Sequence, residues 1–219
     1  MFKQVLFAQW LTSRLALAVL SVLAFALPLI SVFYGGDIAT TGRLALGEWR
    51  VAADRVAQVL PYFAVLVGAL LGVLAWSPDL AGRHIYALSL PVRRPVFVAL
   101  RFGAGSVLAL IPSVALAAGS AIASLAVRLP PGVRAYPLEI SVRFTLATLT
   151  VYAIIFALAS ASRRSQLVVI GTICTAILLD LALVTLDVSF SITATTLGAL
   201  TTWPGPLSIL VGRWALFDV

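Results

Sequence analysis

Long apolar stretches alternate with short polar ones along this chain. A helix needs about 20 apolar residues to cross the hydrocarbon core of a bilayer, and several stretches have about that length. They are residues 15–34, 59–76, 102–127, 144–161 and 167–186. The pattern predicts an all-α fold, a polytopic membrane helix bundle in which residues 1–219 form a single transmembrane domain.

Residues 1–14 have an amphipathic pattern, which predicts a helix lying in the membrane interface ahead of the first span. Its apolar face carries Phe2, Leu6, Trp10 and Leu11, and its polar face carries Lys3, Gln4, Gln9, Ser13 and Arg14. A cleaved signal peptide is the alternative. The apolar run 15–34 is too long for the core of a signal peptide and has no clear A-x-A cleavage site, which favours an uncleaved first span.

The last stretch, residues 188–219, is apolar but rich in threonine and serine. Gly198, Gly212 and the sequence Trp-Pro-Gly-Pro at 203–206 interrupt it. Broken helices at membrane depth are tolerated where neighbouring protein satisfies their backbone groups. We therefore predict a re-entrant or incomplete sixth span here, and with five complete spans the C-terminus would lie outside.

Composition strengthens the membrane interpretation, because 62% of the 219 residues are hydrophobic and only 11% are charged. A soluble domain has about a quarter of its residues charged. Lys3 is the only lysine, so the chain has no phosphate-binding loop of a P-loop ATPase. His84 is the only histidine and Cys174 the only cysteine, which excludes two-histidine metal sites and an internal disulfide. We expect no catalytic, cofactor-binding or metal-binding residues in this chain.

The basic residues mark the predicted cytoplasmic side. The chain has 15 Lys and Arg against 8 Asp and Glu, a formal charge of +7. Basic islands lie near the N-terminus, in 83–101 and at 163–164, and they alternate with the other connections. The positive-inside rule therefore places these islands and the N-terminus in the cytoplasm. Anionic lipid headgroups, rather than nucleic acid, are the expected contacts of these charges.

Several residues within and beside the predicted spans carry expectations of their own. Gly68 and Gly72 have the four-residue spacing that permits close contact with a neighbouring helix. Arg128 and Arg143 are expected to extend to lipid headgroups. An aromatic belt at the membrane interface is predicted from Tyr34, Trp49, Trp76, Tyr136 and Trp203.

Asp180 is an acidic residue in the interior of the predicted fifth span. A carboxylate at membrane depth is costly, and it usually faces protein, water or a partner, or is protonated. Asp180 is therefore a candidate intramembrane polar site with a proton- or cation-handling role. The alternative is that it lies near the outer end of its helix, where water reaches it.

The connection between the second and third spans is the most charged connection, and part of it has the pattern of a short helix. Residues 79–90 favour a short helix that Ser89, Leu90 and Pro91 end. One face of that helix would carry Leu80, His84, Ala87 and Leu88, and the face toward a cytoplasmic partner would carry Asp79, Arg83 and Tyr86. The alternative is an ordinary basic loop that sets the membrane topology.

Residues 88–94, Leu-Ser-Leu-Pro-Val-Arg-Arg, resemble a run between the second and third spans of the permease subunits of type-2 ABC exporters. The resemblance covers residues 1–186 in topology and 79–102 as a motif. It implies that residues 79–90 form a cytoplasmic coupling helix docked on a separate P-loop ATPase, which would bind ATP and Mg²⁺. The residues that this resemblance implies in ATPase coupling are Asp79, Arg83, His84, Tyr86, Leu88, Arg93 and Arg94.

The same resemblance implies ATP-driven export by a non-catalytic permease in a bacterial-type cytoplasmic (inner) membrane, paired with a second permease subunit, identical or related. That family has six spans, and residues 188–219 depart from the pattern. A structural or assembly subunit of a larger membrane complex, meaning a degenerate permease without transport, is therefore a second hypothesis. A membrane enzyme is disfavoured, because the connecting segments lack convergent carboxylates and histidines.

Overall fold

The computed structural model describes residues 1–36, 45–77, 93–126, 134–185, 191–212 and 214–218. Within these ranges the helices are α1 (Phe2–Gly36), α2 (Ala45–Leu74), α3 (Arg94–Ala126), α4 (Pro137–Ser160), α5 (Arg163–Thr185) and α6 (Ile192–Thr201). Two short strands, β1 (Arg134–Ala135) and β2 (Phe217–Asp218), pair antiparallel. The predicted coupling helix over 79–90 lies outside the described residues.

Five of these helices are long and apolar enough to cross a bilayer. The candidate spans are Phe2–Ile30, Ala57–Leu74, Pro95–Ala126, Pro137–Ser160 and Arg164–Leu183. Helices suit this environment because their backbone polar groups bond within the segment and need no water. The prediction of an all-α polytopic bundle is confirmed, and the chain is a multi-pass membrane protein.

α1 is one continuous helix of 35 residues. At about 1.5 Å per residue its length is about 52 Å, whereas the hydrocarbon core of a bilayer is about 30 Å thick. The sequence predicts a turn between an interfacial helix over 1–14 and the first span, and the structure has no turn there. Residues 10–18 contain no glycine or proline that would interrupt a helix, so the amphipathic segment simply extends the span.

α1 to α4 form a bundle in which each helix packs against at least two others. α1 packs on α3 and α2, and α4 packs on α2 and α3. A Cβ on Gly119 of α3 would overlap the carbonyl of Phe25 in α1, and a Cβ on Gly68 of α2 would lie 2.6 Å from the carbonyl of Thr148 in α4. The absence of a side chain at these glycines lets the helix backbones approach closely, as the spacing of Gly68 and Gly72 predicts.

Pairs of contacts fix the directions of the packed helices. α1 and α3 run parallel, and so do α2 and α4. The contacts that show this are Gln9–Arg101 and Phe25–Gly119 for the first pair, and Phe63–Phe144 and Trp76–Phe156 for the second. The starts of α1 and α3 meet the ends of α2 and α4 at one end of the bundle, which we call the N-terminal end. The β1–β2 ribbon lies at the other, the C-terminal end.

α5 stands apart from the other four spans. No residue of Arg164–Leu183 is buried within the described part of the chain, and α5 packs mainly against α6. Apolar side chains such as Val168, Leu178 and Leu181 are exposed along its length. The bundle core therefore comes from α1 to α4, and the apolar side chains of α5 are exposed outside it.

After α5, the described residues of the chain return to the bundle. α6 has ten residues, which is about 15 Å of helix and about half the hydrocarbon thickness. No described helix within 188–219 is long enough to span. Residues 202–212 and 214–218, here called the C-terminal strap, run back to the C-terminal end. There Leu216 and Phe217 are buried, and the Tyr136 backbone N–H donates to the Leu216 carbonyl at 2.8 Å.

Candidate functional site

The predicted coupling residues are only partly within the described ranges. Asp79, Arg83, His84, Tyr86 and Leu88 lie outside them. Arg93 is exposed at the N-terminal end, directly before α3, and Arg94 is the first residue of that helix. The carbonyl of Arg93 accepts the first backbone hydrogen bonds of α3. Arg93 therefore has a structural role at the start of this helix, whether or not it also contacts an ATPase.

Arg101 is a buried cation on α3 at the N-terminal end of the bundle. Its exposed fraction is 6%, and its guanidinium carbon lies 4.7 Å from the ring centre of Trp76 and 5.4 Å from that of Phe97. Phe97 precedes Arg101 by one helical turn, whereas Trp76 follows the end of α2. Buried charges within membrane spans are costly and rare, so this arginine is the first candidate for a functional residue among those described.

α1 also contacts Arg101. The side-chain amide of Gln9 donates to the Arg101 carbonyl at 3.2 Å, and the Ser13 hydroxyl donates to the Gln9 carbonyl at 2.7 Å. Gln9 and Ser13 are buried, so this part of the polar face points into the protein, whereas Lys3, Gln4 and Arg14 of the same face are exposed. The exposed side of the same segment carries Phe7 and Leu11.

Aromatic rings extend the cluster to α4. The Tyr152 hydroxyl donates to the Phe102 carbonyl at 3.2 Å, and Phe156 lies between Trp76 and Phe102, with ring centres 5.3 Å from each. A Cβ on Gly105 would overlap the Tyr152 hydroxyl, so this glycine makes room for the tyrosine. We call the set the Arg101 cluster; its members are Gln9, Trp76, Phe97, Arg101, Phe102, Tyr152 and Phe156.

Two polar atoms of the Arg101 cluster have no hydrogen-bond partner among the described residues. They are the indole nitrogen of Trp76 and the side-chain oxygen of Gln9, and both residues are buried. Buried polar atoms are usually paired, and an exception is frequently a functional position. The cluster thus combines a buried cation with unused hydrogen-bonding capacity, where all four packed helices meet.

The sequence interpretation missed this cluster. Arg101 counts there only as part of a basic island, and Trp76 is assigned to the membrane-interface belt. That assignment is wrong for Trp76, whose ring lies inside the bundle against Phe156. A signal was available, because Arg101 sits one turn after Phe97 at the beginning of a long apolar run. The helical spacing put the charge beside an aromatic ring, but the contact with α2 needs the tertiary fold.

Asp180 is held by the first residues of α6. Its carboxylate accepts hydrogen bonds from the backbone N–H groups of Ile192 (2.6 Å) and Thr193 (2.8 Å) and from the hydroxyls of Ser191 (2.9 Å) and Thr193. A carboxylate at a helix N-terminus satisfies orphan backbone donors and interacts favourably with the helix dipole. The geometry therefore accounts for Asp180 as a second acceptor at the N-terminus of α6, beside the N-cap Ser191, that joins α6 to α5.

Arg143 does not extend to headgroups as the sequence predicts. Its side chain donates to the carbonyls of Ile209 (3.1 Å, from Nε) and Val211 (2.7 Å, from Nη2), and its guanidinium lies 5.1 Å from the ring centre of Trp214. Gly212, with φ of 120°, lies against the guanidinium. Arg143 binds the strap because the strap returns to α4 and its carbonyl groups lack helical partners.

Two open grooves flank the C-terminal strap. One of about 390 Å³ lies between α2 and the strap, with Gln58, Tyr62 and Trp214 in its walls. The other, about 490 Å³, lies beside α4 and is lined mainly by apolar side chains such as Leu138 and Leu146. Within the described ranges no three His, Cys, Asp or Glu side chains are grouped closely enough to hold a metal ion.

Comparison with known proteins gives no relative: no family model, no curated protein and no solved structure matches this chain.

Proposed function

We propose that this protein is the membrane-spanning permease subunit of an ATP-driven ABC exporter. The motif at 88–94 supports this, as does the bundle of apolar helices. The observation that carries the proposal is the Arg101 cluster. It connects the end of α2 and the start of α3, between which residues 78–92 lie in sequence, with α1 and α4.

The mechanism would be a coupling free energy between two polypeptides. The partner ATPase binds ATP and Mg²⁺, and its closure would displace the segment that connects α2 with α3. Packed interiors shift as units instead of deforming continuously. Trp76 follows the end of α2, Arg101 lies near the start of α3, and the two residues contact each other. A displacement of the connecting segment would therefore reach all four helices together. The permease itself would carry out no chemical step.

The charge distribution supports a cytoplasmic N-terminal end. Described positions at that end include seven basic residues and no acidic one: Lys3, Arg14, Arg93, Arg94, Arg101, Arg163 and Arg164. Positive residues are retained on the cytoplasmic side of membrane proteins. The proposed location is therefore a bacterial-type inner membrane with the ATPase docked at the N-terminal end. A second permease subunit, identical or related, would complete a path for hydrophobic or amphipathic cargo.

A structural or assembly subunit of a larger membrane complex is the second candidate function. One observation favours it: the described part of residues 188–219 contains a ten-residue helix and a returning strap, and no sixth spanning helix. Such a subunit would be a degenerate permease that binds its partners without transporting cargo.

Affinity purification in mild detergent, followed by mass spectrometry, tests the proposal most directly. We expect a P-loop ATPase to co-purify. A cysteine in place of Arg83, in a Cys174→Ser background, should cross-link to that ATPase, while a cysteine in place of Glu139 at the C-terminal end should not. A native assembly without any nucleotide hydrolase would refute the exporter. An ATPase present without cargo-stimulated hydrolysis in liposomes would favour the assembly subunit.

A further inference from the structure

The ends of α2 and α3 at the N-terminal end of the bundle have little direct contact. In the described part of the chain, α2 packs mainly on α4 and α1, and α3 packs mainly on α1 and α4, while α2 and α3 touch each other sparsely. The contact between Arg101 and Trp76 is one of the links that join these two ends. Among the described residues, its loss would leave the two ends connected chiefly through α1 and α4.

Both partners of this link are firmly attached to their own helices. Trp76 continues the last turn of α2, because its backbone N–H donates to the Val73 carbonyl at 3.0 Å and the N–H of Ala75 donates to the Leu71 carbonyl at 2.9 Å. Arg101 lies inside α3, and Gln9 of α1 binds its carbonyl. A shift of either helix end is therefore a shift of the guanidinium relative to the indole ring.

Packing alone does not explain an arginine at this position. Taking a cation out of water is costly, and replacing a buried charged group by an apolar one of similar volume is often neutral or stabilising. The Arg101 guanidinium lies against the rings of Trp76 and Phe97, and a methionine of similar length could contact the same rings. The charge is thus better explained by what it holds in place than by the stability it adds.

We propose that Arg101 is a positioning residue that holds the end of α2 against the start of α3 through the Trp76 ring. This inference rests on the proposed function, in which a partner acts on the segment between these two helices. A cation over an aromatic ring is attracted to the whole face. The contact therefore keeps the end of α2 and the start of α3 together, while Gln9 links Arg101 to α1 and Phe156 links Trp76 to α4.

A cysteine reporter at the end of α2 tests the positioning directly. Ser77→Cys in a Cys174→Ser background places a thiol one residue after Trp76, and its maleimide labelling rate is measured in detergent on the full chain. We expect Arg101→Met to raise the rate about fivefold, the population change typical of losing one partly desolvated cation–π contact. Arg93→Met, which removes an exposed charge from the same end, should leave the rate unchanged.

A double-mutant cycle separates a specific contact from a general loosening. Trp76→Leu should raise the labelling rate at least as much as Arg101→Met, because it removes the contact with Arg101 and also packing on Phe156. Arg101→Met added to Trp76→Leu should raise the rate little further, because the shared contact is already lost. Additive increases, or a wild-type rate in Arg101→Met, would overturn the positioning role. If Arg101→Met fails to fold, Arg101→Gln removes the charge but keeps a polar side chain, and labelling unchanged from wild type in that variant would also count against the proposal.

The functional readout uses the assembly with its co-purified ATPase in liposomes. Arg101→Met should keep its thermal midpoint, ATPase binding and basal hydrolysis, while cargo exported per ATP falls severalfold. Unchanged export per ATP would overturn the role in coupling. If no ATPase accompanies the wild-type protein, the proposed function fails, and the labelling rate of the Ser77→Cys reporter still decides whether Arg101 positions α2 against α3.

Discussion

The two ends of the bundle use the same pair of residue types for different purposes. Arg101 lies 4.7 Å from the Trp76 ring centre at the N-terminal end, and Arg143 lies 5.1 Å from the Trp214 ring centre at the C-terminal end. Arg101 joins one helix to another through side chains. Arg143 holds a non-helical strap by donating to its carbonyls. An arginine on a membrane helix therefore takes its role from the element that lies opposite.

The two ends also differ in charge. The charged residues among the described positions at the N-terminal end are all basic. Toward the C-terminal end both signs occur: Glu139 and Asp180 are acidic, and Arg134 and Arg143 are basic. A uniformly basic end attracts anionic headgroups and fixes orientation. An end with both signs of charge contains carboxylates that can accept local hydrogen bonds, as Asp180 does from the backbone N–H groups of Ile192 and Thr193.

The largest effect is expected from filling the space that Gly105 leaves for Tyr152. Gly105→Leu would displace the tyrosine and spread the Arg101 cluster, at about 3 kcal/mol, because overpacking a tight site forces the surrounding helices apart. Thermal unfolding in detergent measures this loss. Gly171→Leu on α5 is the matched control, since a Cβ there meets no described atom within 4 Å. Equal midpoints for the two variants would contradict the tight packing.

A smaller effect, confined to the other end, is expected from Arg143→Ala. The carbonyls of Ile209 and Val211 would lose their donors, and we expect the docked strap to weaken by about 1–2 kcal/mol. Hydrogen exchange should quicken at the Tyr136 amide, which donates to the strap, while amides in the Arg101 cluster stay protected. Arg134→Ala, which removes an exposed arginine nearby, is the control. Quickened exchange at both ends would show that the ends are not independent.

Tyr152→Phe measures how much one hydrogen bond at the N-terminal end contributes to the unfolding free energy. The variant keeps the ring stacking on Phe102 and removes only the hydroxyl that binds the Phe102 carbonyl. We expect a loss of about 1 kcal/mol in unfolding free energy. Tyr62→Phe should change nothing, because Tyr62 is 77% exposed. A loss as large as that of Gly105→Leu would mean that the hydroxyl, and not the ring, organises the cluster.

The smallest and most local effect is expected from Asp180→Asn. The amide nitrogen cannot accept the hydrogen bonds that one carboxylate oxygen accepts, so the first turn of α6 should open more readily. Hydrogen exchange at the amides of Ile192 and Thr193 should quicken, with the bundle unaffected. Cys174→Ser on the same helix as Asp180 is the control. If exchange at these amides is unchanged while proton or cation movement is lost, Asp180 has the handling role that its place in the span first indicates.

Much of the spanning architecture follows from the sequence, because a bilayer imposes length and apolarity on each helix locally. The runs at 144–161 and 167–186 correspond to α4 and α5 for that reason. The predicted break after residue 14 is wrong, since nothing in the local sequence interrupts α1. The sequence predicts that residues 188–219 do not form a complete span, but the docking of the strap on α4 could not be predicted, because it depends on the Ile209 carbonyl meeting Arg143 from 66 residues away.

By itself the sequence determined that this chain is a helical membrane protein with its basic residues gathered between particular spans. Apolar length and charge act locally, on one helix at a time, so they can be read along the chain. Only the tertiary structure decided that Arg101 lies on Trp76, that Asp180 caps α6, and that α5 stays outside the bundle. Those facts depend on which helix faces lie opposite one another. The sequence does not specify this, because lipid is as apolar as the helix faces and apolarity does not select a partner helix.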